Sequence, residues 1–167
     1  MKDAKRRDYM GGINFMPKGC PDNVFNLYKG FAVKPRPGKW NLLKRHVYEV
    51  LVSGNQKHGD YFMAWLAKIL QTPWEKNTTC PVFISGQGAG KNSFIEAFGK
   101  ILGQHFKTIT NERGLSGQFN GHMKDCLLLF ANEAIWGGDR QGAGQIKSII
   151  TDPTLRVEFK GKDSFEV

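Results

Sequence analysis

Three cysteines in 167 residues, Cys20, Cys80 and Cys126, are too few and too scattered for a disulfide framework or a metal cluster. Their number is odd as well, and such usage points to a reducing compartment. The chain has no run of about 18 apolar residues, so no membrane-spanning helix is expected. Its opening, MKDAKRRDYMGG, is charged with no apolar stretch behind it, unlike a secretory signal. The expected location is therefore cytoplasmic. Internal repeats and low-complexity tracts are missing too. Acidic residues are scarce: 15 Asp and Glu stand against 24 Lys and Arg, a net charge of +9. That imbalance favours an anionic partner, with nucleic acid first and nucleotide second.

The composition is otherwise that of a folded chain, 40% apolar and 23% charged, which excludes wholesale disorder. The charge is uneven. Residues 1–79 carry 14 basic and 6 acidic residues, whereas residues 80–167 carry 10 and 9, so the first part is the basic one. It is also broken early by Pro17, Pro21, Pro35 and Pro37, in stretches that read as loops. Residues 41–52 and 60–71 place apolar side chains three or four apart, as two packed helices require. Asp60 is a fair N-cap for the second helix. Tyr48, Tyr61, Phe62 and Trp65 are expected in the core.

The pattern changes after residue 77. CPVFI (80–84) is long enough only for a strand. SGQGAGKN (85–92) is a glycine-rich loop, and residues 93–103 resume helical spacing up to Gly103. A second apolar strand (125–134) ends in Asn132 and Glu133. A helix is expected over 142–150, then an alternating stretch (154–167) able to turn at Gly161–Asp163 as a hairpin. Strands alternating with helices predict an α/β parallel sheet. The expected organisation is a basic segment with a helical pair (1–77) followed by a partial P-loop NTPase domain (78–167).

Strand, glycine loop and helix form the setting of a phosphate loop. Gly86, Gly88 and Gly90 let backbone N–H groups converge on an anion, and the helix behind them adds the positive end of its dipole. Lys91 offers a full positive charge to β and γ phosphates. The nucleotide-binding candidates are Ser85, Gly86, Gln87, Gly88, Ala89, Gly90, Lys91, Asn92 and Ser93. The match to G-x-x-x-x-G-K-[ST] is imperfect, since Ser85 takes the first place and Asn92 follows the lysine. Glu133 is placed to activate water, and Asn132 offers Mg²⁺ a neutral oxygen.

PVFISGQGAGKNSFIEAFGKILG, SGQFNGHMKDCLLLFANEAIWGGD and IKSIITDPTLRVEFKGKD, in this order, resemble the helicase domain of phage and plasmid primase-helicases, within superfamily 3. The resemblance covers roughly residues 22–167. It implies an AAA+-like three-layer core and an ATP-driven helicase of DNA replication, assembled as a hexameric ring around single-stranded DNA. ATP and Mg²⁺ would be its cofactors. Lys91 and Glu133 would be catalytic, and Asn92, Ser93, Asn132 and Glu133 would be the metal ligands. The resemblance also implies DNA contact by Lys147, Arg156, Lys160 and Lys162 in and before the terminal hairpin. The family continues past the point where this sequence ends, into a sensor Asn and an arginine finger, so a fragment or split-gene product with an incomplete ATPase site is expected. Two rival expectations are a nucleotide- and DNA-binding module without turnover and, more remotely, a small-molecule P-loop kinase.

Overall fold

The computed structural model describes residues 8–86, 88–111, 114, 119–132 and 140–167. Within them the chain is mixed α/β. The basic first part holds a two-residue parallel pair, β1 (Ile13–Asn14) and β2 (Phe25–Asn26). Then comes α1 (Asn41–Arg45), which continues as a wider π-helical turn over His46–Leu51. The long helix α2 (Gln56–Gln71) begins earlier than expected, because Asn55 rather than Asp60 caps it and accepts the His58 N–H at 3.0 Å. Asp60 instead accepts from the Tyr48 hydroxyl at 2.7 Å, which ties the two helical segments together.

The core forms where α2 meets α3 (Lys91–Leu102). Phe62, Leu66 and Ile69 from one helix pack with Phe94, Ile95, Phe98 and Leu102 from the other, joined by Val47 and Leu128. Burying each large apolar side chain contributes roughly 1.5–3 kcal/mol, so this cluster dominates stability. Of the four aromatics expected inside, Phe62 is buried, and Tyr48 and Trp65 pack against the cluster. Tyr61 is exposed and shares a 2.8 Å hydrogen bond with Thr79.

Beyond α3, β3 (Phe106–Ile109) and β4 (Leu128–Ala131) pair in parallel, with Phe106 opposite Leu128 and Ile109 opposite Ala131. Next come α4 (Arg140–Thr151) and an antiparallel hairpin, β5 (Arg156–Phe159) with β6 (Lys162–Glu166), which turns at Lys160–Gly161. The hairpin is seated by Asn120, whose amide donates to the Arg156 carbonyl and accepts the Glu158 N–H, both at 2.8 Å.

The strand expected over 80–84 is not part of any sheet among the described residues. The segment is laid over the α2–α3 core. Phe83 points inward, edge-on to Phe62 at 4.9 Å, while Val82 and Ile84 are 76% and 95% exposed. The parallel sheet thus has two strands, and a three-layer P-loop core is not formed by the described residues.

Candidate phosphate and nucleic-acid interface

The glycine loop does lead into a helix. Gly90 sits just before α3 with φ +74, a left-handed conformation that costs glycine little. A Cβ there would also meet the His46 ring at 2.7 Å, so glycine is required twice over. The Gly90 carbonyl accepts the Phe94 N–H at 3.1 Å and lies 3.3 Å from His46 Nε2. No side chain caps this end of α3 and no acidic residue lies in its first turn. The N–H groups of Lys91, Asn92 and Ser93 belong to the set that a helix leaves without internal partners. Lys91 folds back over the loop, donating to Ser85 Oγ at 2.5 Å and to the Gly86 carbonyl at 3.2 Å. Cation, helix N-terminus and turn therefore converge on one spot, an arrangement suited to phosphate oxygens. Gly88, at φ +82, and Ala89 complete the described part of the loop; Gln87 lies outside the described residues.

The catalytic and metal assignments are less complete. Glu133 lies outside the described residues. Asn132 follows β4, its N–H bonded to the Ile109 carbonyl at 2.8 Å, while Asn92 and Ser93 open α3. These three supply neutral oxygens alone, a poor donor set for Mg²⁺, which favours carboxylates and phosphates. The described residues hold no group of three or more His, Cys, Asp or Glu able to bind a metal. No chemical step is assigned to the ion here.

Of the four cations expected on DNA, three belong to the β5–β6 hairpin and one to α4. Lys147 is exposed on α4, Lys160 is exposed at the hairpin turn, and Lys162 opens β6. Arg156 is engaged within its own hairpin, with Nε 3.3 Å from Glu158 and 3.1 Å from Ser164 Oγ.

Sequence reading missed a buried polar knot behind β3 and β4. His105 is fully buried, with Nδ1 2.7 Å from the Asp125 carbonyl and Nε2 accepting the Lys29 N–H at 3.1 Å. Its ring stacks on Tyr28 at 5.1 Å and tilts against Phe15 at 5.3 Å. Asp125 pairs with Lys107 at 3.1 Å, although its Oδ1 has no aligned hydrogen bond. The hydrogen-bond partners of His105 lie 20 and 76 residues away in the chain, so no local sequence pattern signals this cluster. Beside it, burial pushes the Cys126 thiol up to about 12, against a smaller opposing pull from Lys107. Since the thiolate is the reactive form, brief alkylation at pH 8 is expected to leave Cys126 unmodified in the native chain and to modify it after unfolding. Mass spectrometry checks this. Native labelling of Cys126 as fast as that of unfolded chain would contradict it.

Comparison with known proteins corrects the functional expectation. The chain is 28% identical over 149 residues to a DNA primase-polymerase of Nitratiruptor phage NrS-1. The match takes in 87% of this chain and 20% of that protein, so the chain spans about a fifth of its relative's length. A solved apo structure of the NrS-1 C-terminal region superposes with a TM-score of 0.77 at 24% identity, covering 93% of this chain and 40% of that one. An A-form apo structure of the same region gives a TM-score of 0.77 at 23% identity, covering 93% and 39%. These likenesses establish a shared fold. They overturn the superfamily 3 assignment and, with it, the reading of the chain as an ATP-dependent helicase. The physical counterpart is that, among the described residues, the segment before the glycine loop joins no sheet: loop and helix alone do not make a P-loop core. Among the described residues, no helix is long and apolar enough to cross a membrane, as expected. The family model that matches residues 83–167 is a family of unknown function, DUF5906, and the chain belongs to it.

Proposed function

We propose that this chain is a DNA-engaging module of a phage replication protein of the primase-polymerase kind, at work where phage DNA is copied in the bacterial cytoplasm. The observation that carries the reading is the alignment of 87% of the chain with a phage DNA primase-polymerase. The net charge of +9 and the cationic entrance to α3 support it. The module's part is to hold nucleic acid, with sequence-independent contact to the phosphate backbone. Residues 85–93 take phosphate groups, either from DNA or from a nucleoside triphosphate with its Mg²⁺. Lys91 and the first-turn N–H groups of α3 supply the charge and the donors.

Binding of the full chain to a fluorescein-labelled single strand, read by anisotropy at low salt, tests the reading. Competition by a Mg²⁺–triphosphate and by unlabelled strand separates the two phosphate sources. Sedimentation with and without the strand reports whether copies assemble on it. A chain that binds no strand at 50 mM salt contradicts the reading.

A further inference from the structure

Residues 33–45 form an exposed strap within the basic first part of the chain. It carries Lys34, Arg36, Lys39, Lys44 and Arg45, and no acidic residue occurs between Asp22 and Glu49. All five cations are exposed, and Trp40 among them is 49% exposed. The Lys44 ammonium lies 6.0 Å from the Trp40 ring centre and 5.8 Å from that of Tyr48. Arg45 makes one surface ion pair, with Glu49 at 3.7 Å. Lys34, Arg36 and Lys39 have no side-chain partner among the described residues.

The strap is pinned at both ends to the same helix. At its start, the Ala32 N–H donates to the Ile101 carbonyl at 2.9 Å. Ala32 also packs so closely on Gly103 that a Cβ there would lie 2.7 Å from its methyl group. Just past its other end, His46 meets Gly90 at the opposite terminus of α3. The two ends of the strap therefore meet the two ends of α3, about 18 Å apart at 1.5 Å per residue, and Lys44 and Arg45 immediately precede the contact at the helix N-terminus that holds Lys91. The strap's backbone is stiffened by sequence. Lys34 and Arg36 each precede a proline, which restricts them to extended conformations, and Pro35 and Pro37 fix their own φ. Two cations two residues apart on an extended chain stand about 7 Å apart, with little freedom left to lose on binding.

Given the DNA-engaging reading above, on which this inference rests, we propose that the strap over residues 33–45 is its single-strand contact surface. Lys34, Arg36, Lys39 and Lys44 neutralise phosphates, and Trp40 stacks on a base. Single-stranded DNA fits this surface because a stiff cationic track with one half-exposed aromatic matches a backbone whose bases are unpaired. A duplex keeps its base faces hidden and would leave Trp40 idle.

The test compares triple variants of equal charge by anisotropy on a labelled single strand, with circular dichroism confirming the fold of each. Lys34→Ala/Arg36→Ala/Lys39→Ala is expected to weaken binding about tenfold to a hundredfold near 0.1 M salt and to flatten the salt slope by about two units. Lys57→Ala/Lys68→Ala/Lys100→Ala, the control, is expected to change it less than threefold, an allowance for bulk charge alone. Trp40→Ala is expected to cost roughly fivefold to a hundredfold, largely restored by Trp40→Phe. Equal losses from strap and control would overturn the strap as a site. So would a loss confined to Lys147→Ala/Arg156→Ala/Lys160→Ala, which would move DNA to the hairpin while leaving the DNA-engaging reading intact. A wild-type chain that binds no strand would defeat both.

Discussion

Replacing His105 with alanine is expected to destabilise the fold by about 3–5 kcal/mol, the largest effect of any single substitution considered. The ring makes two hydrogen bonds, each worth about 1 kcal/mol net, a buried one to the Asp125 carbonyl and a partly buried one from the Lys29 N–H. Its removal leaves the partners unsatisfied, at about 1–3 kcal/mol each. It also opens a hole between Phe15, Tyr28 and the β3–β4 pair, with the further cost that truncated core side chains carry. These groups join residues far apart in the chain, so the loss should loosen the basic first part from the sheet. His105→Gln can still accept from the Lys29 N–H at the position of Nε2 but cannot reproduce the Nδ1 donor, so it should recover a part of the loss. Urea unfolding measures all three chains. A loss below about 0.5 kcal/mol, typical of an uninvolved surface site, would show that the ring is not the joint described.

Lys91→Ala is expected to leave stability nearly unchanged and to weaken phosphate binding. The ammonium donates to Ser85 and to the Gly86 carbonyl, both exposed groups that water can serve. Facing a phosphate it makes a charge-assisted contact worth about 1.5–3 kcal/mol, or roughly tenfold to over a hundredfold in affinity. Lys91→Arg should retain part of this, since charge is kept while the geometry changes. Titration with a fluorescent triphosphate in Mg²⁺, beside titration with a labelled single strand, reads both phosphate sources. Affinities unchanged in both would remove the loop from the interface.

The parts of this fold legible in the sequence are those with long periodic signals. α2, α3 and α4 each show a helical stripe, and the hairpin shows alternation over residues 154–167, although it turns at Lys160–Gly161 rather than at Gly161–Asp163. Short elements were not legible. β3 is four residues long and β1 and β2 are two each, too brief for a period to emerge. The 80–84 run reads as a strand because it is apolar and too short for a helix, and Phe83 does face inward, but a short apolar run says nothing about a pairing partner. The stripe over 41–52 is helical as expected over Asn41–Leu51, but its apolar face is only partly used: Val47 is buried and Leu51 packs on the core, while Leu42, Leu43 and Val50 stay at the surface.

The same limit applies to the site. The glycines and Lys91 could be found from spacing, since the loop is contiguous in sequence. The strap could not, because its position depends on Ala32 meeting Gly103 and on His46 meeting Gly90, contacts made across the fold. The polar knot at His105 depends likewise on Lys29, 76 residues away. The helicase expectation failed at a different level. The glycine loop, Lys91 and the following helix occur in order, with Ser85 and Asn92 departing from the motif, but nothing in them specifies which strands pair into a sheet.

The central claim is that this chain engages the phosphate backbone of single-stranded DNA, and counterion release tests it most directly. Affinity for a labelled single strand is to be measured from 50 to 200 mM salt. Four neutralised phosphates predict a log–log slope of about −2.8, a fall of roughly fiftyfold across that range. A slope near zero, or the absence of binding at the lowest salt, would contradict the account.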